Sequence, residues 1–210
     1  MDDEQDHDHD HDEHEHTHAD EHEHHEHVWM EYPDAVAAFR EDKDEYFKSG
    51  AGSPVPEADR AGFPGIPYYA VDEALRFPAL TLEPYTGDEP SNFQIPTSDG
   101  KLRPVHRAGT LDFEIAGQPL KLTAYVLDQG DPESLFVPFL DATSGTETYG
   151  AGRYLDLEPE EDGTYELDFN FAYHPSCVYD VRFSCPLTPA ENRLPVRVDA
   201  GERLPEGYGR

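Results

Sequence analysis

The chain has 210 residues, a formal net charge of -31 and two cysteines. That length suggests one domain with an appendage. The cysteine count excludes a disulfide scaffold, and the absence of basic patches excludes nucleic acid as a partner. The apolar runs fall far short of the ~20 residues that span a bilayer. The N-terminus also lacks the basic and apolar regions of a secretory leader, so a soluble cytoplasmic protein with no membrane partner is expected.

Residues 1–27 (MDDEQDHDHDHDEHEHTHADEHEHHEH) hold thirteen acids, ten His and no Lys or Arg. So little apolar surface cannot offset the entropy of ordering, and a disordered tail is expected. The remaining residues, 28–210, read as one domain. They still carry 33 acids against 15 bases, with four Lys and eleven Arg. At molar salt the Debye length falls to about 3 Å, so a carboxylate-rich surface stops repelling itself. A halophilic origin is the expectation.

A helix is expected at about 32–49. Pro33 sits where a first-turn proline is tolerated, Val36, Phe39, Tyr46 and Phe47 lie on one face, and Gly50 and Gly52 end it. From 63 to 205 the texture changes to short apolar runs broken by Gly and Pro. Strands are expected at 74–85, 93–97, 110–115, 120–127, 135–140, 153–157, 165–173 and 194–198. Residues 116–118 read as a hairpin connection. The predicted fold is mainly β: an antiparallel sandwich or barrel-like domain with an N-terminal helix and a disordered tail.

In the tail, His7, His9, His11, His14, His16, His18, His22, His24, His25 and His27 are candidate metal ligands. In an extended chain residues i and i+2 point the same way, so imidazoles can pair on Zn, Ni or Cu. Nearby acids favour imidazolium, so protons compete with metal. A solvated charged tail is the alternative. His174, Cys177 and Cys185, with Glu191, offer a weaker zinc set, because the tight Cys-x2-4-Cys unit of structural sites is missing. Two reduced buried thiols explain the same residues.

The back third carries the densest set of site-forming residues. Asp141, Thr143, Ser144, Tyr149 and Arg153 frame a Gly-rich loop whose N–H groups and hydroxyls suit an anion, with Arg153 as bidentate partner. No Gly-Lys-Ser/Thr follows, so it is not a Walker loop. Ser144 lacks the nucleophile elbow of a hydrolase. Asn170, Tyr173, Asn192 and Arg193 are further ligand-binding candidates. Asp168 and Glu191 are candidate bases, with Arg153 as anion clamp. Equally, these groups form an ion network that fixes loops. Three readings follow: a domain with a pocket for an unknown small molecule or metal, a hydrolase using Asp168 or Glu191, or a metal-buffering protein with an inert body.

The segments LFVPFLDATSGTETYGAGRYLDL, LDFNFAYHPSCVYD and FSCPLTPAENRLPVRVDAGE resemble the DUF1684 family of uncharacterised bacterial and archaeal proteins. Phe39-Arg40, Lys43, Phe47, Ser53-Pro54 and Phe63-Pro64-Gly65 are similar as well, so the resemblance spans roughly 30–205. Its usual pattern has Asn where this chain has His174, which argues against a shared zinc ligand there. The resemblance implies a single-domain body and transfers no catalytic residue.

Overall fold

Helix α1 (Tyr32–Ser49) starts with a proline in its first turn and stops at Gly50, whose N–H reaches the Tyr46 carbonyl. A Cβ on Gly50 would lie 2.4 Å from the Tyr46 ring, so the stop needs glycine. The computed structural model describes residues 30–128 and 131–209, and residues 31–210 form one compact unit. The expected tail and its ten candidate ligands lie outside the described residues.

The inward stripe of α1 differs from the expected one. Only Val36 and Phe47 are buried, while Phe39 and Tyr46 are 42% and 46% exposed. At helical spacing the same stripe carries Tyr32, Arg40 and Lys43. Two buried apolar side chains contribute roughly 1.5–3 kcal/mol each. Polar contacts supply much of the remaining docking: Tyr32 to Asp168, Arg40 to the carbonyls of Tyr69 and Asn170, and Asp44 to the Ile66 N–H.

The strands are β1 (Arg76–Leu80), β2 (Glu83–Pro84), β3 (Asn92–Pro96), β4 (Leu102–Ile115), β5 (Gln118–Leu127), β6 (Leu135–Phe139), β7 (Arg153–Leu157) and β8 (Tyr165–Asp168). A six-stranded antiparallel sheet runs β2-β4-β5-β6-β7, with β3 also on β4; β1 and β8 pair separately. The sheet path stays open and does not close into a barrel. Ala116 and Gly117 both adopt positive φ in the two-residue β4–β5 turn, as a type I′ hairpin requires. At Gly109 the register shifts, and a Cβ would meet the Glu83 carbonyl at 2.4 Å, so β2 can lie against β4 only with glycine there.

Alternation along β5 and β6 divides the core. Leu120, Leu122, Ala124, Leu135, Val137 and Phe139 join Leu167 and Phe169 in the largest cluster. Tyr125 and Phe136 face the other way, onto Ile95, Val105 and Tyr154. A third cluster, Phe47, Val55, Phe63, Ile66, Val178 and Tyr179, lies under α1.

Four expected strands differ, the first being 110–115, which is the end of a strand that starts at Leu102. The 74–85 strand is interrupted, with Ala79 at φ 56 and separate pairings for β1 and β2. The 165–173 strand ends at Asp168, whose carboxylate accepts the Asn170 N–H and starts a short 3-10 helix. Residues 194–198 form no strand; backbone bonds join the Leu194 N–H to the Leu140 carbonyl and the Ala142 N–H to the Val196 carbonyl, and the side chains of Arg153 and Asp141 hold Val198.

Candidate functional site

Most of the residues singled out in the back third turn inward, each toward its own stretch of chain, while Glu191 and Arg193 are exposed. Arg153 is fully buried on β7. Its guanidinium donates to the carbonyls of Val198 (2.9 Å), Ala200 and Glu202 (3.2 Å) and lies 3.5 Å from Asp141. Asp141 accepts from the N–H and hydroxyl of Thr143, the hydroxyl of Ser144 and the N–H of Val198. Thr143 and Thr148 share a hydroxyl contact of 3.0 Å. A buried charge is tolerated when paired and hydrogen-bonded, and this network meets that condition by fastening residues 198–202 to β7 and the 141–148 turn.

The other candidates follow the same pattern. Asn192 accepts the Thr123 N–H and donates to the carbonyls of Thr123 and Pro138, so its amide bridges β5 and β6. Asn170 does likewise for Asp72. Asp168 accepts from Tyr32 and Asn170. Glu191 is held by Arg107 (2.8 Å) and Tyr125 (3.0 Å). Burial opposes its ionisation, but its own backbone N–H and the Arg107 and Tyr125 hydrogen bonds outweigh that and hold its carboxyl below the usual range. Arg193 is exposed. Arg153, Asp168 and Glu191, expected around one hollow, therefore have separate sets of partners.

The sequence reading missed a second buried centre, formed around Glu202. Its side chain is 1% exposed. Lys43 from α1 lies 2.6 Å from Oε1. The His174 N–H donates to Oε2 at 2.7 Å, and His174 Nδ1 lies 3.3 Å from the same oxygen. His174 Nε2 accepts the Tyr149 N–H at 3.2 Å, which fixes the proton on Nδ1, toward Glu202. Burial pushes the imidazole below its usual pKa, against the pull of Glu202. Burial also works against ionised Glu202, but Lys43 and His174 prevail and hold its carboxyl below the ordinary value.

Two phenols complete the centre. The hydroxyls of Tyr68 and Tyr179 are buried and neither makes a well-formed hydrogen bond among the described residues, though the Glu202 carboxylate faces the Tyr179 hydroxyl. Both lie in the fields of Glu202 and Asp44, and burial above all raises them, so both stay protonated donors. The Arg40 guanidinium covers the Tyr68 ring at 4.5 Å, and the Lys43 ammonium sits 4.8 Å from the Tyr173 ring. Asp44, Pro64, Gly65, Ile66, Pro67, Pro205 and Glu206 line a cavity of about 240 Å³, which includes none of Tyr68, Tyr179, Lys43 or Glu202 in its walls. Two larger cavities lie elsewhere, between β1 and 160–166 (about 550 Å³) and across β3, β4 and β5 (about 430 Å³). None of the three is lined by Arg153, Asp141, Asp168 or Glu191.

Cys177 and Cys185 are both free, Cys177 half-buried and Cys185 buried. The proposed zinc set with His174 does not assemble: among the described residues no group of three or more His, Cys, Asp or Glu is placed to hold a metal ion. The physical reason is that His174 Nε2 accepts the Tyr149 N–H while its Nδ1 faces Glu202. Also among the described residues, no helix is long and apolar enough to cross a membrane.

The sequence signals for the Glu202 centre were His174, read as a weak zinc ligand, with Lys43 and the terminal AGE segment, and none of them points to the others by composition. Contacts between residues 28 and 159 positions apart bring it together.

No curated protein matches the chain. Among solved structures, it is similar to the solution NMR structure of an uncharacterised protein from Haloarcula marismortui, with 37% identity and a TM-score of 0.60 over 81% of this chain and 92% of that one. With a model matching residues 61–203, which include His174 and Glu202 but not Lys43, the chain belongs to the family described as "Protein of unknown function (DUF1684)".

Proposed function

We propose that the body binds a small, uncharged, carbonyl-bearing molecule at the two phenols beside Glu202. The observation that carries this reading is the pair of buried hydroxyls, Tyr68 and Tyr179, that make no well-formed hydrogen bond among the described residues. A buried donor left unpaired costs about 1–3 kcal/mol, and such groups call for an explanation. Two protonated phenols suit a carbonyl oxygen. Asp44 and Glu202 nearby disfavour an anion, and Lys43 already answers Glu202.

Acetamide, acetone and 2-pyrrolidone serve as probes, titrated into the full chain and followed by amide chemical shifts. Shifts centred on Lys43, Ile66, Tyr68 and Glu202 are expected. The doubly substituted Tyr68→Phe, Tyr179→Phe chain should bind at least tenfold more weakly. Shifts that centre elsewhere, or equal affinity in that chain, would sink the reading. The hydrolase alternative has less support, because Asp168 and Glu191 have their carboxylates engaged by Tyr32 and Asn170, and by Arg107 and Tyr125.

A further inference from the structure

Cys177 and Cys185 sit eight residues apart on two turns that meet. Cys177 belongs to the 3-10 turn Ser176–Val178. Cys185 is tied to the 97–98 turn, where its carbonyl accepts the Ser98 N–H and its own N–H reaches the Ser98 hydroxyl. The Cys177 N–H points at the Cys185 sulfur at 3.3 Å. One N–Cα bond of about 1.46 Å further, the Cα of Cys177 lies within about 5 Å of that sulfur. The two thiols also face each other, each the other's side-chain hydrogen-bond partner.

We propose that this pair is a hydroperoxide-reactive dithiol site, with Cys177 as the attacking thiol and Cys185 as the resolving one. The roles follow from access and surroundings. Cys177 is the more exposed of the two. The Cys185 thiol, then the hydroxyls of Ser98 and Tyr149, face its sulfur, and together they hold it down to about 6 despite burial. Arg103 is the charged neighbour, and it bears on Cys185. A low-pKa, accessible thiol next to a second cysteine is the environment of redox-reactive sites.

The chemistry balances with a hydroperoxide as oxidant. The Cys177 thiolate attacks the peroxide's outer oxygen; the S–O bond forms, the O–O bond breaks, and the leaving hydroxide takes a proton to become water. Cys185 sulfur then attacks the sulfenic sulfur, loses its proton and expels the oxygen as a second water. Two thiols and one peroxide give one disulfide and two waters. A low-molecular-weight thiol returns the pair to the reduced state by exchange. The disulfide would pin the 177 turn to the 185 turn. It would act next to Tyr149, whose backbone N–H holds His174 against Glu202.

The test uses the full chain, reduced and freed of reductant, with stoichiometric hydrogen peroxide and intact-mass detection. The expected product is a monomer lighter by two hydrogens, with both titratable thiols lost and both recovered on reduction. Cys185→Ser should instead accumulate a dimedone-trappable sulfenic acid, and Cys177→Ser should react at least tenfold more slowly. Alkylation of the native chain supplies an arm that needs no variant: Cys177 should react about tenfold faster than Cys185 at pH 6.5. Equal reactivity of the two thiols, a disulfide-linked dimer, or no loss of thiol at stoichiometric peroxide would each overturn the proposal.

Discussion

The Arg153–Asp141 pair and the Lys43–Glu202 pair are both buried, and both engage the same C-terminal strip, residues 198–202, yet they are finished to different degrees. Around Arg153, three backbone carbonyls and a carboxylate take up the guanidinium, leaving only Nε without a partner among the described residues. Around Glu202, one charge pair and one His are joined by two phenol hydroxyls that make no well-formed hydrogen bond among the described residues. The first centre is complete as a fastening. The second carries polar capacity that folding does not use, and proteins retain such groups chiefly where they act.

The largest expected effect tests the fastening. Arg153→Met removes a buried cation and leaves Asp141 and three carbonyls facing an apolar stem. Breaking a buried pair from one side costs about 3–5 kcal/mol, enough to unfold a marginal domain. Lys43→Met should cost less, about 2–3 kcal/mol, because Lys43 is 18% exposed and Glu202 can take up a proton instead. Urea denaturation at fixed salt orders the two. If Lys43→Met proves the more damaging, the contrast between the centres is wrong.

A smaller effect is expected from pH. His174 has a folded pKa below its unfolded value. Its contribution is therefore complete above about pH 6.5 and lost as pH falls through the folded value. Glu202 is also depressed, so its contribution is present above about pH 4.3 and disappears below it. The urea midpoint should begin to fall below about pH 6.5 in the native chain. In His174→Asn that first limb should vanish while the more acid one remains. An unchanged profile in His174→Asn would show that the imidazole is not buried in its neutral form.

Much of the fold was legible because it depends on local patterns. The alternation of Leu120, Leu122 and Ala124 against Tyr125 sets the face of β5, and Ala116-Gly117 marks a turn needing positive φ. Residues 194–198 were less legible: Leu194, Val196 and Val198 alternate like a strand, but the partners that hold them include Asp141 and Arg153, far away in sequence. The candidate site followed the same divide. Asp141, Arg153, Asp168 and Asn192 stood out as unusual residues, and they are buried, but composition cannot tell a group that grips backbone from one that grips a ligand. Lys43 and Glu202 looked like ordinary surface charges. Only the docking of α1 over the C-terminal strip, a contact no periodicity encodes, makes them a centre.

The smallest expected effect is the most discriminating. Tyr68→Phe and Tyr179→Phe each delete one hydroxyl and leave the ring. At Tyr179 that ring packs edge-on against Phe47 at 5.0 Å, and at Tyr68 it lies under Arg40. If the hydroxyls served folding, their loss would cost the 0.5–1.5 kcal/mol of a typical hydrogen bond. Because neither makes a well-formed hydrogen bond, removing it relieves desolvation, and each variant should be neutral or more stable by up to about 1 kcal/mol. Thermal unfolding of each variant beside the native chain measures this. A loss of probe binding separates a site from a packing accident, since a hydroxyl that merely filled space would leave binding unchanged. A clear loss of stability would mean that both phenols are bonded in solution, and the Glu202 centre would then be as fully satisfied as the one around Arg153.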